Sequence, residues 1–520
     1  MYSKKLFQNI QEVTTKFVGP LPVIKTVWDM LGAKNIIDRV CPTEGDAPIS
    51  DSVFVMVANR LSSPEPLSNI EQWVENSAFV SVMDAADAAY NDDRLGRTLD
   101  AIGPDVKSVW TQILFKAVTA FKLEVDSVFY DLTSIYFEGD YKQSLLISHG
   151  YSRDGKPDKK QINLALNCSQ KDFIPLWYKL FKGNTNDQTT VLDNMAQLDK
   201  LTKELPSKPG KTLTVIGDRL MLNDEIAVSY GHLGIKFIGT IDDCKAQQEL
   251  IRFIPDEILK SSPLNYKGRA KDSYYGVTIP HVFSHHETAN GKEGKHFILE
   301  SAAHVFFSES KDRQDKKSFD KKIKKVEEVF KFVANKLNKR KYRSKDYTAY
   351  QLKTKLQGKS GRFFFEYEVL GVDGALFLSW RPKEEKVEQA KALFGKYVIY
   401  TNDPSQTLEM ALKGYKDKDK VEKSFSGLKG PFKVRPIFLQ KDERIEALVF
   451  VILLSYLIFS LIRLSCKRHN LKITEKSFIR IFSSLNSVEI RMKDGAAFAQ
   501  VGMLTKKQKD IMFCLKVQPP

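Results

Sequence analysis

The chain has 520 residues, 42% hydrophobic and 28% charged, with 80 Lys+Arg against 64 Asp+Glu and a net charge of +16. That length supports two or three domains with a large core, and the basic balance suggests a polyanionic partner. Five cysteines (Cys41, Cys168, Cys244, Cys466 and Cys514) show no CxxC spacing, which argues against a disulfide framework or a thiolate zinc site and for a reduced, cytoplasmic setting. The opening residues, Met1 to Ile10, lack the long apolar core of a signal peptide.

Residues 1–122 read as a helical domain. The stretch from Pro22 to Leu31 has helical periodicity, Ser50-Asp51-Ser52 is expected to cap a helix from Val53 to Leu61, and Val106 to Leu123 forms a longer amphipathic helix. No sharp helix-turn-helix pattern is present, so a role in binding DNA ends follows only from position. The texture changes near Val125. Val125 to Phe137, Gln161 to Asn167 and Phe173 to Phe181 are β-branched and aromatic runs joined by turn-length connections, as in a three-stranded meander. Gly183 to Asp187 makes a turn that caps a helix to about Leu205. Lys211 to Asp218 is an apolar strand ending on an acid, followed by a short helix and a strand from Ile235 to Ile241. Three strands, helix, strand, helix, strand indicate an α/β core with mixed strand directions over 123–241.

Residues 242–396 break that order and read as an inserted, strand-rich α+β subdomain. Its basic helix, from Ser318 to Arg340, places Phe319, Ile323, Val326, Phe330, Val333 and Leu337 at helical spacing. Lys321, Lys322, Lys324 and Lys325 lie among them. From Lys311 to Lys345 there are 15 basic and 5 acidic residues, so this stretch holds +10 of the surplus. It suits a polyanion-binding face, or simply a solvated helix face. His281, His285 and His286 lack a fourth ligand, and zinc is not expected there.

Residues 397–468 return to the core, with a strand from Tyr397 to Asn402 and a helix capped by Ser405. A further helix is expected from Tyr415 to Lys429, bounded by Gly414 and Gly430-Pro431. With Tyr415 at zero, Lys418, Glu422 and Lys429 fall at about 300°, 340° and 320°, beside an apolar stripe of Val421, Phe425 and Leu428. The same spacing also suits an ordinary Lys418–Glu422 ion pair. Ile445 to Leu464 has transmembrane length, but as a lone apolar stretch close behind a chemically active helix it reads as a buried core helix, with no membrane partner. Residues 469–520 read as a helical region that could serve dimerisation.

Three acids stand out by setting: Asp131 within a strand, Asp218 at the end of a neighbouring strand, and Glu422 on the downstream helix. Acids in apolar strands need hydrogen bonds, a cation or a metal. Each also has an ordinary alternative, with Asp131 capping a turn, Asp218 pairing with Arg219, and Glu422 bridging to Lys418. Convergence of the three would suit two divalent cations acting on a phosphodiester.

Phe129-Tyr130-Asp131-Leu132-Thr133-Ser134, Val215-Ile216-Gly217-Asp218-Arg219 and Tyr415…Lys418…Glu422…Lys429 resemble the three catalytic blocks of DDE transposases from bacterial insertion sequences. The last resembles that group's Tyr-x2-Arg-x3-Glu-x6-Lys signature, with Lys418 where the pattern has arginine. The segments from His149 to Gln161 and from Lys182 to Asp187 resemble its connecting segments. The resemblance implies a ribonuclease-H-like mixed sheet with flanking helices, interrupted by a large insertion before the catalytic glutamate. It implies that Asp131, Asp218 and Glu422 hold two Mg²⁺ or Mn²⁺ ions. Tyr415, Lys418 and Lys429 would grip transposon-end phosphates, with Lys321, Lys322, Lys324 and Lys325 on flanking DNA. The implied protein is a bacterial, nucleoid-associated transposase acting as a homodimer on transposon ends and target DNA. A nuclease on the same core and a non-catalytic DNA-binding descendant are the alternatives.

Overall fold

Why the chain forms a mixed α/β fold is visible in its alternating texture, in which apolar β-branched runs and amphipathic helices succeed each other. The computed structural model describes residues 10–518 apart from 44, 154, 205–211, 219–220, 243, 267–271, 290–291 and 419–438. The principal elements in chain order begin with β1 (Ile10–Phe17), α1 (Leu21–Met30), α2 (Ala33–Val40), α3 (Ile49–Ser62), α4 (Asp92–Ile102) and α5 (Val106–Ala120). Then come β2 (Ser127–Tyr136), β3 (Gln161–Ser169), β4 (Pro175–Lys182), α6 (Asp187–Glu204), β5 (Thr214–Ile216), α7 (Asp224–His232) and β6 (Lys236–Gly239). β7 (Tyr274–Ala289), β8 (Lys292–Ser308), α8 (Glu309–Ala334), α9 (Lys345–Leu356), β9 (Phe365–Val372) and β10 (Ala375–Pro382) follow. The chain closes with β11 (Lys396–Thr401), α10 (Leu408–Asp417), α11 (Asp442–Arg468), α12 (Glu475–Phe482), β12 (Asn486–Met492), β13 (Ala497–Val501) and α13 (Lys506–Cys514).

Two compact units divide the chain, one of residues 1–221, 229–236 and 416–520, the other of 222–228 and 237–415. In the first, the strand order is β4-β3-β2-β5, with β2, β3 and β4 antiparallel and β5 parallel to β2. An antiparallel meander whose first strand is flanked by a parallel one is the ribonuclease-H-like arrangement. Lys236 N donates to Leu213 O at 2.9 Å, which starts the next strand beside it.

Helices cover both faces of this sheet. Asn167 and Asn194 exchange amide hydrogen bonds at 2.7 and 3.1 Å, which seats α6 on the face that carries Tyr130, the register partner of Asn167. Leu166, one residue back, pairs with both Asp131 and Tyr178, so those three share the opposite face. There the Trp110 ring meets Tyr178 at 5.3 Å and Phe450 at 6.4 Å, bringing α5 and α11 against the meander.

α11 is the axis of the first unit. Asp442 and Glu443 in its first turn and Lys467 and Arg468 in its last complement the helix dipole. It passes the length and composition test for a membrane span, yet 94% of its most apolar 18-residue stretch is buried inside the protein. Its packing partners include α1, α3, α4, α5 and β4, which together surround it. Ser455 and Ser465 donate to Val451 O and Leu461 O at 2.8 and 3.0 Å, so these hydroxyls are satisfied within the helix. α3 and the middle of α11 are buried on every side, so neither shows the one-sided apolar stripe of a surface helix.

The second unit orders its strands β6-β11-β8-β7, all antiparallel. β7 and β8 form one long hairpin, and β8 runs directly into α8, whose N-cap Ser308 accepts from Lys311 N at 3.2 Å. Val326, Phe330 and Val333 of α8 pack with Leu352, Leu356, Phe365, Val369, Leu376 and Leu378 into a separate small core.

Several expectations need correcting. The N-terminal region is not wholly helical, because β1 pairs antiparallel with β12 from the other end of the chain. The C-terminal region is likewise not wholly helical, since β12 and β13 form a hairpin there. Ser50-Asp51-Ser52 lies inside α3, which starts after Pro48. Asp51 is buried in the first turn because Lys34 Nζ reaches it at 2.8 Å and Ala86 N at 2.9 Å. Thr407 rather than Ser405 caps α10, accepting from Met410 N at 3.3 Å, while Ser405 bonds Asp403. Gly414 is a buried residue inside α10 and does not precede the helix. The basic helix begins at Glu309, where Ser308 supplies its cap, and stops at Ala334.

Candidate active site

β5 is only three residues long and pairs with Ser127 to Phe129, so the rest of β2 has no partner from β5. The register pairs Phe129 with Ile216; carried two residues further along both chains, it sets Asp131 beside Asp218. Residues opposite one another on parallel strands share a face, so both carboxylates leave the sheet on the same side. They line one cleft of about 680 Å³. Asp131 Oδ1 accepts from Leu132 N at 2.9 Å. The Asp218 side chain is 44% exposed, and its Oδ2 is 2.9 Å from the ammonium of Lys418, which is 9% exposed. Ends of parallel strands where the neighbouring strand stops short are natural binding crevices.

The rest of the cleft wall comes from two turns that interlock. A Cβ on Gly150 would come 1.9 Å from Gly183 O, and one on Gly183 would come 2.1 Å from Gln161 O, so only glycine fits either place. Gln161 Nε2 donates to Tyr151 O at 2.8 Å and to Gly183 O at 3.1 Å, and Asn163 Nδ2 donates to Gly183 O at 3.3 Å. Arg153 hangs from this scaffold. Its guanidinium donates to Asp187 Oδ1 at 2.5 Å, Asn163 Oδ1 at 3.1 Å and Ser134 Oγ at 3.4 Å. The charged side chains of the described lining are thus Asp131, Asp187, Asp218 and Arg153.

The structure therefore brings together Asp131, Asp218 and Lys418. Glu422 and Lys429 lie outside the described residues, as does Arg219. Lys418 follows the last helical residue of α10 and pairs with Asp218. Tyr415 belongs to the second unit, where its hydroxyl and Thr240 Oγ1 are 3.4 Å apart. Lys321, Lys322, Lys324 and Lys325 are all exposed on α8, and none has an acidic partner among the described residues. Among the described residues there is no cluster of three or more histidine, cysteine or carboxylate ligands.

His281 packs against Phe283 and Tyr400 at 4.7 and 4.8 Å, and burial lowers its pKa. Burial pushes the Cys168 thiol up to about 12 and Cys41 to about 11, so neither ionises near neutral pH. Arg153, Asn163 and Asp187 escaped the reading of single residues. The signal was the dense run of Gly, Arg, Asp and Gln in 149–161, whose purpose is visible only once Gly150 and Gly183 meet.

A family described as a domain of unknown function, DUF4277, matches residues 13–115. A search of curated proteins gives no match. Among solved structures, the piggyBac transposase synaptic complex with hairpin DNA is 10% identical. The likeness covers 90% of this chain and 81% of that one, with a TM-score of 0.37. The Mos1 transposase paired-end complex with the left transposon end is also 10% identical, covering 38% of this chain and 60% of that one, with a TM-score of 0.16. At these scores neither likeness decides the fold or the chemistry, which rest on the strand order and on the cleft.

Proposed function

We propose that the protein is a DNA transposase that cuts the ends of a mobile element and joins the freed 3′-OH ends to target DNA. The observation that carries this reading is the placement of Asp131 and Asp218 in one cleft, where β5 stops and β2 runs on without a partner from it. The donor set suits hard divalent cations, which prefer carboxylate oxygens, and the Lys418 ammonium beside Asp218 marks a place where positive charge is stabilised. Asp131 and Asp218, joined by Glu422, would hold two Mg²⁺ or Mn²⁺ ions. When bound, such ions supply Lewis-acid stabilisation of the attacking and leaving oxygens.

The chain's own groups do the rest. Asp131 and Asp218 fix the position of charge relative to the sheet, because both emerge from backbone held in register. Lys418 holds the Asp218 carboxylate in one orientation. Tyr415, Lys418 and Lys429 would contact phosphates of the element's end. The exposed lysines of α8 would bind flanking duplex without reading sequence. Cutting and joining two ends suits a homodimer in the DNA complex, working at the bacterial nucleoid in the cytoplasm.

The test is single-turnover cleavage of a duplex carrying the sequences that flank the gene, with Mg²⁺ or Mn²⁺. Asp131→Asn and Asp218→Asn are each expected to abolish cleavage while DNA binding survives, since an amide ligates these ions poorly. Cleavage near the wild-type rate in either variant removes that residue from the site. Cutting without strand joining to a target plasmid would instead identify a nuclease.

A further inference from the structure

The cleft holds a group that the metal-site reading leaves unused. Arg153 is the one cationic side chain among its described lining residues, against three carboxylates. Its side chain is 20% exposed and that of its partner Asp187 is 21% exposed. Nη1 donates to Asn163 and Ser134, and Nη2 donates to Asp187. A guanidinium has five N–H donors, so Nε–H and the second Nη2 hydrogen are without a partner among the described residues. The grip is also oriented. Asn163 gives its amide nitrogen to Gly183 O, which turns its oxygen toward Arg153. Gly183 can accept that bond because it has no side chain and Gly150 packs directly on it.

The chemistry of the lining raises a problem that this arrangement answers. A phosphodiester brought beside Asp131, Asp187 and Asp218 meets three carboxylates. Divalent ions at Asp131 and Asp218 would not neutralise Asp187. A fixed arginine with two remaining donors is suited to a phosphate oxygen pair, because the planar fork matches that geometry where lysine supplies only a point charge.

We propose that Arg153 is a phosphate-contacting residue of the cleft, held in position by Asp187, Asn163 and Ser134, and that it grips the backbone of the DNA strand that enters. The proposal rests on the reading of this cleft as a DNA site, but it does not require that the strand be cut.

The probe is a fluorescein-labelled 30-base-pair duplex of the sequence flanking the gene, bound to the full chain in Ca²⁺. A companion set carries one neutral methylphosphonate at each backbone position in turn. Wild type should lose roughly ten- to hundredfold in affinity at one position where Arg153→Gln loses nothing further, since a hydrogen bond to a charged group is removed in both cases. The salt dependence of binding should flatten by about one unit in Arg153→Gln. Arg153→Lys should restore the salt slope while leaving affinity below wild type. The double variant Arg153→Gln/Asp187→Asn keeps the test valid if the single variant unfolds, because it leaves no unpaired carboxylate.

Identical methylphosphonate profiles in wild type and in either glutamine variant would overturn the proposal and leave Arg153 as a structural staple between the turn and α6. Wild type that binds with the expected Arg153 signature but never cuts in Mg²⁺ or Mn²⁺ would sink the transposase reading and sustain the phosphate contact. Wild type that cuts while the profiles coincide gives the reverse.

Discussion

Lys418→Met removes an ammonium 2.9 Å from Asp218 Oδ2, and Asp218→Asn removes the opposite charge, yet the two changes should not cost the same. At that separation the pair attraction is about 6 kcal/mol for an effective dielectric of 20 and about 1.4 kcal/mol in water. The exposures decide between these limits. With 44% of its side chain exposed, Asp218 regains water when Lys418 is lost, and methionine refills the buried space without a charge. Lys418→Met should therefore cost at most about 1 kcal/mol, close to the value for a surface pair. Lys418, 9% exposed, regains less water when Asp218 is neutralised, so Asp218→Asn should cost more, about 2 kcal/mol. That is somewhat less than for a fully buried pair, because asparagine keeps a carbonyl acceptor. The assay is urea unfolding followed by tryptophan fluorescence. Four of the five tryptophans (Trp28, Trp73, Trp110 and Trp177) lie in the first unit, and Trp380→Phe silences the other. Equal costs, or a larger cost for Lys418→Met, would refute the argument that exposure of the surviving partner sets the penalty.

Replacing Lys321, Lys322, Lys324 and Lys325 with glutamine should weaken duplex binding and flatten its salt slope, by about one unit for each phosphate that is no longer neutralised. An unchanged slope would assign those lysines to solvent. Arg444 forks onto Asp100 at 2.7 and 2.5 Å, and its guanidinium holds the Asp100 carboxyl below the usual range. A depressed folded-state pKa means that this stabilisation is present above the unfolded value and lost as pH falls through the folded one. Asp100→Asn should therefore cost about 1 kcal/mol at pH 7, discounted for its partial exposure, and nothing measurable once both states are protonated. A cost that persists at low pH in urea titrations would exclude the ion pair as its source. In α11, Leu457→Ala should cost about 2–5 kcal/mol, as for a cavity in a packed core. The wild-type chain should stay in the supernatant after a carbonate wash of membranes, and retention in the pellet would mean that α11 inserts in lipid.

Local pattern determined a good deal of this protein. The β-branched runs that became β2, β3 and β4 announce themselves by composition. The apolar length of α11 allowed only a core helix or a span, and its burial decided for the core. Asp131 and Asp218 stood out because an acid in an apolar strand is costly without a partner. What the tertiary structure alone decided is which partners these groups meet. The pairing of β1 with β12 joins the two ends of the chain, and no short window of sequence carries a signal for a contact so distant. The Lys418–Asp218 pair was hidden for a similar reason: the two residues are 200 positions apart, and only packing brings Asp218 to the ammonium. Arg153 and Asp187 are 34 positions apart, and they become neighbours because two glycines without side chains let their turns close on one another. Periodicity sets which face of an element is apolar, whereas register and close approach between distant segments set which polar groups share a cleft, and those are properties of the folded chain.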